Sequence, residues 1–190
     1  MVARSGVWSD TEAMASTTLI PVSEYLQTVY RPDCDYIDGE LQERNLGERP
    51  HALLQQILGT IFHVNRRVWK TVALPEQRVQ VTPTRYRIPD LCILHQSDPP
   101  DAIVRNAPWI CIEILSPEDR VLRLQERIDD YTSMGVGAIW VIDPQTRHAW
   151  VASSTGLQET PNGEFAMEGT PIRISVAEIF AEFDEIQMQG

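Results

Sequence analysis

The spacing of apolar residues changes several times along the chain, and each change marks an element. Residues 1–16 show no periodicity and read as a flexible N-terminal tail. Val22, Tyr25, Leu26 and Val29 then recur at helical spacing, which predicts a short helix opening at Pro21 and closing at Arg31-Pro32-Asp33. Residues 35–41 read as a hairpin, because two short extended runs flank Asp38-Gly39, a pair suited to a tight type I′ turn. After Pro50, the residues Leu54, Ile57, Leu58, Ile61, Phe62 and Val68 fall three and four apart. They predict an amphipathic helix over 51–68.

Strand-like patterns follow. Val79 and Val81 alternate with Gln80, so 72–82 is expected to be one strand, with a turn at Pro83-Thr84. Residues 86–95 and 109–115 are expected to be the next two. Ser116 suits an N-cap, Pro117 the first helical position, and Glu118 and Asp119 the positive end of a helix that stops at Gly135. Residues 138–142 are continuously apolar, as in a strand covered on both faces. Strand, helix and strand make a right-handed βαβ crossover. A strand over 148–152, a loop-rich stretch over 153–170 and a short helix over 176–183 complete the chain. The expected class is α/β: an antiparallel meander plus one parallel strand, forming a mixed sheet flanked by helices. The length of 190 residues suits a single domain over 17–190.

Composition adds exclusions. No apolar run approaches the ~18 residues of a membrane span, and the N-terminus lacks the apolar core of a signal peptide, so a cytoplasmic protein is expected. Cys34, Cys92 and Cys111 are odd in number and widely spaced, which speaks against a disulfide framework or a zinc site. Cys92 and Cys111 sit in apolar strands, where thiols are inert. The formal net charge of -11 argues against general nucleic-acid binding. The charge is uneven, however. Residues 44–127 carry twelve basic and nine acidic side chains, a balance of +3, against -14 in the flanks. A local basic surface on an acidic protein is therefore allowed. Lys70 is the only lysine; the other fifteen basic residues are arginines.

Two acids stand where acids are costly. Glu113 lies in Trp109-Ile110-Cys111-Ile112-Glu113-Ile114-Leu115, and Asp90 lies in Arg87-Ile88-Pro89-Asp90-Leu91. A buried carboxylate costs several kcal/mol unless a cation compensates it. If the strands are antiparallel neighbours, Asp90 at the start of one meets Glu113 near the end of the other. A pair of that kind suits Mg²⁺, which takes one or two carboxylates plus waters and phosphate oxygens. Salt bridges to the many arginines would serve equally well, and the pattern alone leaves both open.

A Pro-Asp pair followed some twenty residues later by a Glu on an apolar strand resembles the PD-(D/E)XK nucleases. A closer match joins the 35–41 hairpin, His51, Arg87-Ile88-Pro89-Asp90, Ile112-Glu113-Ile114-Leu115-Ser116-Pro117, and Tyr131 with Val136 and Trp140-Val141-Ile142-Asp143-Pro144. In order and spacing these resemble the Uma family of putative restriction endonucleases over roughly residues 18–150. The resemblance implies a restriction-endonuclease-like fold and Mg²⁺-dependent cleavage of DNA, with Mn²⁺ as a substitute. It maps Asp90 and Glu113 onto the metal-binding acids, and Glu40 onto a further acid of the hairpin. His51 opens the next helix at the matching place. Glu40 as a surface residue and His51 as a helix cap remain alternatives. A homodimer is expected, because cutting both DNA strands calls for two sites.

The lysine of such sites departs from the pattern. Two residues after Glu113 stands Leu115, and the family position on the following helix holds Arg127. Arg120, Arg123 and Arg127 share a helix face by spacing. Arginine stays charged and cannot act as a base, but it can position a phosphate or stabilise transition-state charge. Two functions stand at this point: a Mg²⁺-dependent endonuclease or nickase, and a nuclease-derived binding or assembly module with little catalysis.

Overall fold

Each of the two runs expected to form a single long strand is broken by a corner. A computed structural model describes residues 19–44, 48–117 and 121–188. Within it the 72–82 run is two strands, β3 (Thr71–Pro75) and β4 (Val79–Thr82), separated at Glu76, whose φ is 51°. The 86–95 run is likewise divided into β5 (Arg85–Arg87) and β6 (Leu91–His95), separated at Ile88-Pro89-Asp90. Pro89 has no N–H to give a sheet ladder, so pairing ends there. The four pieces serve two sheets, which corrects the expected simple meander. Alternation could not reveal the second corner, because the side chains on both sides of it go on being buried; the first falls at the polar run Glu76-Gln77-Arg78.

The first sheet is built around the hairpin of β1 (Cys34–Ile37) and β2 (Glu40–Glu43), which pair antiparallel with the expected turn. Asp38 and Gly39 both take positive φ, 51° and 104°, as a type I′ turn requires. The strand order is β2-β1-β5-β4. Tyr36 and Tyr86 pack with Tyr25 of α1 (Val22–Gln27) in a small separate core. The helix ends at Gln27, earlier than the Arg31-Pro32 expected.

The second sheet has six strands. Beyond β3 and β6 come β7 (Ile110–Ile114), β8 (Ala138–Ile142), β9 (Ala149–Ser153) and β10 (Gly156–Glu159), in the order β10-β9-β8-β7-β6-β3. Among the described strands of this sheet only β7 and β8 run parallel, and α3 (Val121–Met134) crosses between them. The mixed sheet with one parallel pair and flanking helices is thus as expected. The 153–170 stretch is less irregular than expected, since it carries β10 and also β11 (Glu164–Ala166), which pairs with β12 (Arg173–Ser175). The last helix, α4, spans Val176–Met188 and is longer than its apolar pattern implied. The expected tail over 1–16 and the helix start at Glu118 and Asp119 lie outside the described residues.

β7 shows how the strand period assigns faces. Ile110, Ile112 and Ile114 join Trp140, Ile142 and α2 (Arg49–Trp69) in the main core, closed by Phe180 and Phe183 of α4. Cys111 points the other way, toward Leu124, Ile128 and Tyr131 of α3, and Glu113 shares that side. The three cysteines are buried and free. Burial pushes the Cys92 thiol up to about 12, so it stays protonated.

A buried charge network ties the first sheet to α3. Arg87 of β5 is fully enclosed. It donates from Nε to Asp130 Oδ2 (2.6 Å) on α3 and from Nη1 to Asp35 Oδ2 (3.0 Å) on β1 and Gln42 Oε1 (3.2 Å) on β2. Arg85 adds a second bond to Asp130 (2.6 Å), and Asp35 Oδ1 accepts the Ile88 N–H (3.0 Å). Removing the guanidinium would leave Asp35 without a cation and Asp130 with Arg85 alone. Arg87→Met should therefore lose about 3–5 kcal/mol in urea unfolding. A loss below about 1 kcal/mol would show that the network does not hold the sheet to the helix.

Candidate metal centre

β6 and β7 are antiparallel, with Leu91 opposite Ile112. One step further along the same register, Asp90 stands opposite Glu113. The expected meeting of the two acids therefore follows from pairing. Both are buried, at 2% and 1% exposure. They open on a small chamber of about 20 Å³, which Arg44, His51, Ile114, Ser116 and Arg127 also line. That space is about enough for one water-sized occupant.

Asp90 is held from three sides. Its Oδ2 accepts the backbone N–H of Ile114 (2.6 Å), and its Oδ1 pairs with the Arg44 guanidinium. His51 Nε2 lies 3.3 Å from the same Oδ1. Burial alone would raise its pKa, but Arg44 and the His51 hydrogen bond outweigh burial and bring it down to about 2. Glu113 differs. Its Oε1 accepts the Tyr131 hydroxyl (2.6 Å) and its Oε2 lies 3.4 Å from Arg127 Nε. Burial dominates here and raises its pKa above the ordinary value, with Arg127 opposing and the Asp90 charge adding to the rise. The two acids are thus pushed in opposite directions by unequal compensation.

The structure brings Asp90, Glu113, Arg127 and His51 together. Arg127 sits on α3 facing Glu113, as its family position implied. His51 is in the first turn of α2, where Pro50 fits the opening and the chain enters close to Asp90. Glu40 is exposed on β2 and Arg123 is exposed on α3, and neither lines the chamber. Lys70 is remote in role: it caps the C-terminus of α2 with a left-handed φ of 56°.

Sequence reasoning missed Arg44 and understated Tyr131. Arg44 lies just past β2 in an irregular link, where no period marks it. Its contact with Asp90 spans 46 residues. Tyr131 could have been found as the α3 residue one helical turn beyond Arg127, on the same face. Asp35, Arg87 and Asp130 are a further layer, because Arg87 fixes the turn of α3 that carries both Arg127 and Tyr131.

The donor chemistry fits a hard divalent cation, since the two carboxylates supply oxygens only. The ligand set ends with them: among the described residues, no group of three or more His, Cys, Asp or Glu side chains is arranged to hold a metal. Waters and phosphate oxygens would have to complete the coordination.

The fold is similar to that of a crystal structure from Anabaena variabilis, described as a putative nuclease belonging to DUF820. The TM-score is 0.73 and the identity 20%, over 85% of this chain and 97% of that one. The two share a mixed α/β fold. A family model, Uma2, described as putative restriction endonuclease, matches residues 22–177, and the chain belongs to that family. No functionally curated protein matches it. Among the described residues, no helix is long and apolar enough to cross a membrane.

The depressed Asp90 pKa has a pH signature. A carboxyl whose pKa falls on folding contributes stability that is present above its unfolded value, here 3.8. The contribution disappears as pH falls through about 2. The interval corresponds to about 2 kcal/mol. Asp90→Asn should be less stable than wild type by at least about 2 kcal/mol at pH 7, with the gap closing toward pH 2. Glu113, raised instead, contributes with the opposite sign, and loss of the Asp90 charge in Asp90→Asn relieves part of that rise. A gap unchanged between pH 7 and pH 2 would contradict the assignment.

Proposed function

We propose that this chain is a Mg²⁺-dependent endonuclease that hydrolyses DNA phosphodiester bonds, with Asp90 and Glu113 holding the metal. The observation that carries this is the convergence of two buried carboxylates and two guanidinium groups on one chamber at adjacent strand ends. Membership in a family of putative restriction endonucleases supports it. Bound there, Mg²⁺, or Mn²⁺ in its place, would supply a polarised phosphoryl group and a water of lowered pKa.

The protein's own groups divide the remaining work. Asp90, ionised over the whole neutral range, offers a fixed oxygen at the end of β6. Glu113 offers another from β7, oriented by the Tyr131 hydroxyl. Arg127 brings a permanent positive charge to the position where a lysine is expected. It positions a phosphate and stabilises charge on it, and it takes no proton. His51 braces Asp90 across Oδ1. DNA is the proposed substrate, and a homodimer would place two such chambers on one duplex.

A second reading keeps the site but not the turnover. It is favoured by one observation: protein cations and donors already engage both acids, and no lysine lines the chamber. The chain would then be a nuclease-derived binding or assembly module.

Plasmid nicking separates the two. Wild type should nick or linearise plasmid DNA with Mg²⁺ or Mn²⁺ and stop in EDTA. Asp90→Ala and Glu113→Ala should each fall by at least about a hundredfold. Equal cleavage by wild type and both variants would sink the endonuclease reading. Absence of cleavage, with metal binding retained, would select the second.

A further inference from the structure

Arg44 occupies the place on Asp90 that a metal would need. Asp90 Oδ2 is tied to the buried Ile114 N–H, while Oδ1 faces the chamber and carries the Arg44 guanidinium with His51 Nε2 at 3.3 Å, so Oδ1 is the oxygen a cation entering the chamber would share or take over. Arg44 Nη2 donates to that Oδ1, while Nη1 donates to the Ile88 carbonyl. With the guanidinium seated on Oδ1, the chamber keeps about 20 Å³, roughly one water-sized space, so a divalent ion binding that oxygen competes with Arg44 for it. Two like charges at contact distance also repel strongly where water is scarce.

Arg44 lies outside the helices and strands, so a change of its side-chain rotamer breaks no element. Its backbone N–H is anchored to the Asp33 carbonyl (3.0 Å), yet it belongs to no helix or strand. Its side chain is partly open to solvent, at 13% exposure. Arg127, by contrast, is carried on α3 and faces Glu113.

We propose that Arg44 is a metal surrogate: in the metal-free protein it compensates Asp90, and on metal entry it yields Oδ1 and turns to the phosphodiester. This rests on the two-carboxylate reading above. The chemistry suits the exchange, because the planar guanidinium fork that fits a carboxylate also fits a phosphate. The substrate's phosphate would thus inherit the cation that Asp90 gives up, and the chamber would stay near charge balance in both states.

Competition makes an unusual prediction, since losing a site residue should tighten metal binding. In Mn²⁺ titration calorimetry, Arg44→Gln should bind at least about tenfold more tightly than wild type. The same variant should bind a short DNA duplex about tenfold more weakly when Ca²⁺ replaces Mg²⁺ to hold back cleavage. In wild type, the Arg44 Nε–H NMR signal, identified by its absence in Arg44→Lys, should move as Mg²⁺ is added. This last measurement decides the matter if Arg44→Gln does not fold. Mn²⁺ affinity equal or weaker in Arg44→Gln, or an unmoved Arg44 signal, overturns the exchange. An unchanged duplex affinity overturns its phosphate half. If wild type binds Mn²⁺ and Asp90→Asn does not, while Arg44→Gln matches wild type, this inference fails and the metal site stands. If neither wild type nor Arg44→Gln binds Mn²⁺, both fall together.

Discussion

Four carboxylates, Asp35, Asp90, Glu113 and Asp130, are buried in the region where the two sheets meet α3, and compensating them organises everything around them. None could stay ionised there alone. Arg87 answers Asp35 and Asp130, Arg44 answers Asp90, and Arg127 lies against Glu113. These pairs cross every junction of the region: hairpin to β5, β5 to α3, the link after β2 to β6, and α3 to β7. The apolar cores on either side fix the layers, while the ion pairs fix their register on one another.

The candidate centre forms one side of that network, where the acids are buried and only Arg44, His51 and Arg127 are slightly open to solvent. Asp35 and Asp130 share a guanidinium on which both have close hydrogen bonds. Asp90 and Glu113 have separate partners instead, and one carboxyl is lowered while the other is raised. The absence of a lysine also looks different in this setting. The chamber already has two permanent cations, Arg44 and Arg127, and its titratable groups are His51, Asp90 and Glu113 rather than a lysine.

Much of this was legible in the chain. The apolar period placed α2, α3, the βαβ crossover and the hairpin turn, because those signals are local. Asp90 and Glu113 were found because each is an acid inside an apolar strand, a costly exception that needs no partner to be visible. Their meeting followed from antiparallel pairing alone. Less was legible at the corners. Residues 86–95 stay buried across a bend that sends their halves to different sheets, and 72–82 turn at the short polar run Glu76-Gln77-Arg78 between two extended pieces. Arg44 and the partners of Arg87 were hidden for another reason: their contacts join residues more than forty positions apart, and nothing in the local pattern marks either end.

The sequence by itself determined the element types, the parallel pair and the two acids that had to be compensated. These depend on period, turn chemistry and the cost of burying charge, all of which are properties of short segments. Only the tertiary structure decided which cation meets which acid. It put Arg44 on Asp90, set Arg127 and Tyr131 against Glu113, left Glu40 and Arg123 in solvent, and gave Arg87 to two carboxylates at once. Those choices depend on how two sheets and a helix close on one another, and closure is a property of the whole packing.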